Sequence, residues 1–196
     1  MKKLLVLLFS FFLLISPSVF ADDISDFEIE GISLGDSLLD FLSYGEIITN
    51  KVNYFQDERQ YYVVSSGNLK LKKFDSIEFY LKKNDNKFII KYFASFKFYP
   101  NNFNDCKTKK QKIVSEIKSV LNNAKMVDDG TFSHAYDKSG KSKQTRTNFY
   151  INSDYVSVEC LMWSQEIKNI HPNWTDNLGL IVGTDEVMQW IIGGYK

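Results

Sequence analysis

The chain has 196 residues, of which 24 are Lys or Arg and 24 are Asp or Glu, so its formal net charge is zero. Bulk charge therefore names no partner, and nucleic acid is a poor candidate for a protein that leaves the cytoplasm, as the first 21 residues indicate for this chain. Aromatic residues make up 15% of the chain, which is ample core material for one compact domain.

The first 21 residues have the pattern of a secretory signal peptide. Two lysines precede an apolar run at 4–15, and Val19 and Ala21 are the small residues that signal peptidase requires. The run of about 12 residues is too short for the roughly 20 that cross a membrane. We therefore expect cleavage after Ala21 and no transmembrane segment in the mature chain. That chain, 22–196, is expected in the periplasm or, as a second choice, outside the cell.

The order of the expected helices and strands predicts one α+β domain over 22–196. Its expected architecture is a mainly antiparallel sheet of hairpins, with one long helix and short helices near the N- and C-termini packed on it. Alternation predicts a short strand or extended arm at 27–30, and apolar spacing predicts a short helix at 38–42 with Ser33 or Asp36 as N-cap. The later expected elements are strands at 60–65, 76–82, 88–98, 130–136, 146–151, 155–163 and 178–182, a long helix at 105–124 capped by Asn104 or Asp105, and a terminal helix that begins near Asp185.

Two cysteines, Cys106 and Cys160, lie in the exported part of the chain. Cys106 falls on the apolar stripe of the long helix, and Cys160 lies on the more apolar face of a strand. An isolated pair in an oxidising compartment predicts a disulfide. Two buried free thiols are the alternative, and a catalytic dithiol is disfavoured because the pair is not Cys-x-x-Cys.

Two further patterns indicate no catalytic, cofactor or metal site. The segment 138–142, Lys-Ser-Gly-Lys-Ser, resembles the end of a phosphate loop, but Ala135 stands where that motif requires glycine. We interpret it as a solvated turn. The only histidines, His134 and His171, have no metal-ligand spacing, so each is expected at a surface or interface.

Charge is segregated along the chain. Acidic residues cluster before Lys51, whereas lysines concentrate in the long helix. A solvated outer helix face is the simpler interpretation. The functional alternative is a basic face that contacts an envelope protein or an anionic surface, made of Lys107, Lys109, Lys110, Lys112 and Lys118.

Three segments carry a resemblance to known proteins: 27–39, the turn at 138–142 and the stretch around Cys160. Together they resemble a set of small exported proteins of marine alphaproteobacteria, and this resemblance implies export without adding chemistry. Separately, the residues 32–39 are similar to the strand–glycine–helix opening of the BamE (SmpA/OmlA) outer-membrane assembly proteins, although the lipidated cysteine of that family is missing.

The sequence thus predicts an exported, non-catalytic binding or envelope-associated protein. A small periplasmic hydrolase is the alternative, and it requires a pocket that brings His134 or His171 within hydrogen-bond reach of a serine or a carboxylate. A secreted inhibitor or immunity protein is a third possibility that fits the size and the disulfide equally well.

Overall fold

An eight-stranded sheet organises the fold. The computed structural model describes residues 24–54, 60–67 and 69–194, and the predicted signal peptide at 1–21 lies outside them. The strands are β1 (Lys51–Val52), β2 (Tyr61–Ser66), β3 (Ser76–Lys82), β4 (Ile90–Phe98), β5 (Lys125–Ser133), β6 (Lys143–Ile151), β7 (Asp154–Met162) and β8 (Asn177–Thr184). The α-helices of the described residues are α1 (Tyr44–Thr49), α2 (Phe103–Val120), α3 (Gln165–Ile170) and α4 (Asp185–Gly194), and short 3-10 turns occupy Ile24–Asp26 and Leu38–Asp40.

All seven strand pairings are antiparallel, in the order β1-β2-β3-β4-β8-β7-β6-β5. Each half of the sheet is a four-stranded meander, and α2 connects the two halves. The halves meet where β4 pairs with β8. The predicted antiparallel α+β arrangement is confirmed, whereas two helices rather than one are long, at 18 and 10 residues.

The larger core lies on one face of the sheet, which we call the helical face. Apolar residues of the N-terminal segment, such as Ile32, Leu38 and Ile47, pack there with Ile117 and Leu121 from the second half of the chain. These side chains are almost completely buried. Burying one such side chain is worth about 1.5–3 kcal/mol, so this layer supplies much of the driving force for folding.

The opposite face carries α4 over a cross-strand row of tyrosines. Tyr80, Tyr92 and Tyr155 are neighbours in this row, with ring centroids 4.4 Å apart for the first pair and 6.5 Å apart for the second. The strand between Tyr92 and Tyr155 contributes Gly183. A Cβ atom at Gly183 would lie 2.4 Å from Cδ2 of Tyr92, so the tyrosine ring occupies the space that this glycine leaves.

The predicted disulfide is confirmed. Cys106 in the first turns of α2 is bonded to Cys160 of β7, with Cα atoms 6.0 Å apart, and both residues are buried beside Leu178. The bond fastens the long helix to the centre of the second meander across a sequence separation of 54 residues.

The N-terminal predictions are wrong in detail. In place of the short strand or extended arm expected at 27–30, the chain enters a tight turn in which Ile29 pairs with Ile32 around Glu30 and Gly31, both with positive φ. The helix expected at 38–42 is a single 3-10 turn capped by Ser37 rather than by Ser33 or Asp36. Local alternation of apolar residues does not distinguish a strand from a turn that buries two isoleucines.

The long helix begins earlier than expected because Asn102, and not Asn104 or Asp105, is its N-cap. The Asn102 side chain accepts a hydrogen bond from the backbone N–H of Asp105 at 3.2 Å. The helix ends at Val120, where the following Leu121 turns into the core.

Two six-residue helices, α1 and α3, were not predicted from the sequence. The α1 helix begins with a capping box in which Ser43 and Glu46 satisfy each other's backbone N–H groups. The α3 helix is capped by Ser164, which accepts from the N–H of Ile167. The serine cap of each helix is a signal that the sequence carries. Six residues are too few for apolar positions to repeat with a helical period, so the period did not indicate a helix.

Candidate functional site

Both histidines and two tryptophans come together at one end of the sheet. We call this group the aromatic cluster; its members are His134, Tyr136, Trp163, His171 and Trp174. Trp174 is central, with ring centroids 4.6 Å from Trp163, 5.0 Å from Tyr136 and 4.1 Å from His171. His134 lies edge-on to Trp163 at 4.7 Å. These residues come from the loop between β5 and β6 and from the segment between β7 and β8, so only the tertiary fold unites them.

The loop between β5 and β6 is held by a buried carboxylate. Asp137 accepts hydrogen bonds from the backbone N–H and the hydroxyl of Ser139, at 2.9 and 2.6 Å, and from the same groups of Ser142, at 2.8 and 2.6 Å. These bonds hold the pKa of Asp137 well below its usual range. The segment that resembles a phosphate loop therefore does surround an anion, which is the chain's own carboxylate.

A second buried carboxylate, Asp176, joins the neighbouring loops. It accepts from the backbone N–H of Trp163 at 2.8 Å and from that of Asn101 at 3.1 Å, and it forms an ion pair with Lys168 at 2.9 Å. The backbone N–H of Trp163 is thus bonded to a side chain, and that of Trp174 donates to the carbonyl of His171 at 2.9 Å. Such loops present their side chains in fixed positions, which lowers the entropic cost of binding.

Tyr136 lies between the two histidines and bonds to both. Its hydroxyl is 2.7 Å from Nε2 of His171, and its backbone N–H donates to Nδ1 of His134 at 3.2 Å. Burial lowers the pKa of His134, and the nearby Arg146 guanidinium lowers it further, against the opposite effect of Asp137. The neutral ring favoured in this way is the form that can accept the Tyr136 N–H.

These bonds bear on the hydrolase hypothesis, which needs a histidine paired with a serine or a carboxylate. Within the described residues, the side-chain hydrogen bonds of both histidine rings go to Tyr136. The arrangement that a histidine-activated nucleophile requires is therefore not formed at this cluster.

The outer surface of the aromatic cluster is open. Tyr136 is 40% exposed and the adjacent Ile170 is 62% exposed, while His171 and Trp174 are partly exposed. Trp163 is only 9% exposed and belongs to a small core with Leu161 and Ile167, against which the partly exposed Trp174 packs. Among the described residues, the indole N–H of Trp174 donates to no partner. The partly exposed Trp174 therefore offers one unused hydrogen-bond donor beside exposed ring surface.

The predicted basic face is wrong at one position. Lys110 is only 6% exposed, because it points from α2 to the sheet and donates to Thr147 at 2.7 Å, with Asp128 3.8 Å away. Burial lowers the pKa of Lys110, although the Asp128 carboxylate opposes this. Of the other lysines of that face, Lys109, Lys112 and Lys118 are exposed and Lys107 is partly exposed.

Glu159 is a buried acid that the sequence analysis did not single out. It lies on the opposite face of the sheet, where Gln144 Nε2 donates to its carboxylate at 2.6 Å. Burial raises the pKa of Glu159, with partial compensation from the Arg146 guanidinium and the Gln144 hydrogen bond. Its aliphatic stem lies against Gly179, where a Cβ atom would be 3.1 Å from Cγ of Glu159.

The chain matches no family model, no curated protein and no solved structure. Among residues 24–54, 60–67 and 69–194, no group of three or more His, Cys, Asp or Glu side chains is arranged to hold a metal ion. In the same ranges, no helix combines the length and the apolar character needed to cross a membrane.

Proposed function

We propose that this chain is an exported, non-catalytic binding protein of the cell envelope and that the aromatic cluster is its binding surface. One observation carries the proposal: a packed group of aromatic side chains, with Tyr136 exposed and Trp174 and His171 partly exposed, stands on loops fixed by two buried carboxylates. Tyrosine and tryptophan combine a large apolar surface with a polar group, so they are effective contact residues when their backbone is rigid. Tyr136, which is 40% exposed, and Ile170, which is 62% exposed, add apolar contact surface beside these rings.

Export supports an envelope location for this function. The signal-peptide pattern at 1–21 indicates export, and a disulfide is the bond expected in an oxidising compartment. The pairing of both histidines with Tyr136 favours binding over the hydrolase alternative.

Cosedimentation with envelope fractions from the source cells tests the proposal. The wild-type protein should sediment with the envelope fraction. Tyr136→Ala should raise the apparent dissociation constant about tenfold in a titration of envelope, because a well-packed aromatic contact contributes about 1.4 kcal/mol or more. Tyr150→Ala is the matched control, since Tyr150 is also 40% exposed but lies near the other end of β6. Equal sedimentation of the two variants would refute the aromatic cluster as the binding surface.

A further inference from the structure

From the chemistry of the aromatic cluster we infer that its ligand is a saccharide, bound by stacking of pyranose rings on the exposed aromatic side chains. This inference rests on the proposed function and names the ligand class of the same surface. Three properties of the cluster lead to it: the filled ring packing, the polar groups at its open surface and the size of the open area.

The packing of the rings excludes an aromatic cage for a cation. A cage needs rings that surround an empty centre, so that the ammonium group contacts several ring faces. Here the centre is filled, because Trp174 is within 5.0 Å of Trp163, Tyr136 and His171, measured between centroids. What remains open is the outer surface of the cluster, which suits a ligand that lies on top of it.

The polar groups of the open surface favour a ligand that carries hydroxyl groups. Trp174 is partly exposed, and its indole N–H donates to no described residue. The Tyr136 hydroxyl and Nε2 of His171 form a further polar pair at this surface. A purely apolar ligand would leave these groups without partners and would lose affinity, whereas sugar hydroxyls can accept from N–H groups while the C–H face of the ring covers the aromatic surface.

The area of the surface favours a small ligand over a folded protein. An aromatic side chain buries about 150–250 Å², and the rings here are at most about two-fifths open, so the cluster presents on the order of 300 Å². A stable protein interface buries about 800 Å² on each partner. Two or three sugar rings match the smaller area.

Titration with defined oligosaccharides tests the inference. Chitotetraose and cellotetraose are added to the mature protein, and binding is measured by tryptophan fluorescence and calorimetry. At least one should saturate with a dissociation constant of about 1 mM or tighter. Tyr136→Ala should weaken binding about tenfold or more, and Trp174→Phe should weaken it several-fold because the ring remains while the N–H donor is lost. Tyr150→Ala should bind like the wild type.

Folding of each variant is checked by near-UV circular dichroism. Trp174→Phe keeps the inference testable if Tyr136→Ala alters the loop. Vesicles of phosphatidylglycerol form a parallel arm: binding to vesicles that depends on Tyr136, without binding to either sugar, would assign the surface to lipid and overturn the inference. Absence of saturable sugar binding up to about 10 mM would also overturn it. If envelope sedimentation still depends on Tyr136 in that case, the proposed function stands and only the ligand class is wrong.

Discussion

Loss of the Cys106–Cys160 bond should cost this protein a large part of its stability. The perturbation is the double variant Cys106→Ala/Cys160→Ala, which removes the bond and avoids a buried hydroxyl group. Both residues are almost fully buried, so alanine is the replacement that disturbs the surrounding packing least.

The magnitude follows from the length of the closed loop. For a sequence separation of 54 residues, the chain-entropy treatment gives a bond that raises the free energy of the unfolded state by about 4 kcal/mol at 25 °C. With a urea dependence of about 2 kcal/mol per molar, the midpoint of unfolding should fall by about 2 M. The melting temperature should fall by about 8–16 °C for a chain of this size.

Urea unfolding followed by tryptophan fluorescence measures the difference. The single variant Cys106→Ala is the control, because it also opens the loop and should lose a similar amount. Thiol titration of the denatured, unreduced wild type should find no free thiol on Cys106 or Cys160. Two free thiols per chain, or a loss below about 1 kcal/mol in the double variant, would refute the reasoning.

Three further predictions concern packing and protonation. Gly183→Ala should destabilise the protein by about 1–3 kcal/mol in urea unfolding, because the new methyl group would collide with the ring of Tyr92. Gly193→Ala is the control: its Cβ position faces open space, so the free energy of unfolding should change by less than about 1 kcal/mol. Equal effects of the two variants would contradict the packing of Tyr92 against Gly183. The folded-state pKa of His134 is lowered, so the neutral ring stabilises the fold fully at a pH above the unfolded-state pKa of about 6.5, and this stabilisation is lost as the pH falls below that value. Unfolding measured as a function of pH should show the loss in the wild type and not in His134→Gln. The folded-state pKa of Glu159 is raised, so the wild type should lose stability as the pH rises from about 4.5 towards the folded-state pKa. Glu159→Gln should remove this part of the pH dependence. An unchanged pH profile would show that burial does not set the pKa of Glu159.

Some features of the fold were accessible from sequence because they depend on neighbouring residues. Alternation predicted β3 with its bounds, Ser76–Lys82, and placed most of β4 and β7. Periodicity also assigned Cys106 and Cys160 to inward faces, and the export signal supplied the expectation that they are bonded. Side-chain direction in a helix or strand follows from the local period, so these inferences needed no knowledge of the fold.

The pairing of β4 with β8 and the formation of the aromatic cluster were decided only by the tertiary structure. His134 and His171 have no informative spacing, and both bond to Tyr136 because the loop between β5 and β6 lies beside the segment that follows β7. Lys110 follows the charge pattern of an exposed helix face, yet it is buried. Its ammonium group donates to Thr147 and lies near the Asp128 carboxylate, both on the sheet. The sequence by itself determined the direction of many side chains within their own elements. Which distant groups those side chains contact depends on strand order, and strand order is set by long-range packing that no local pattern contains.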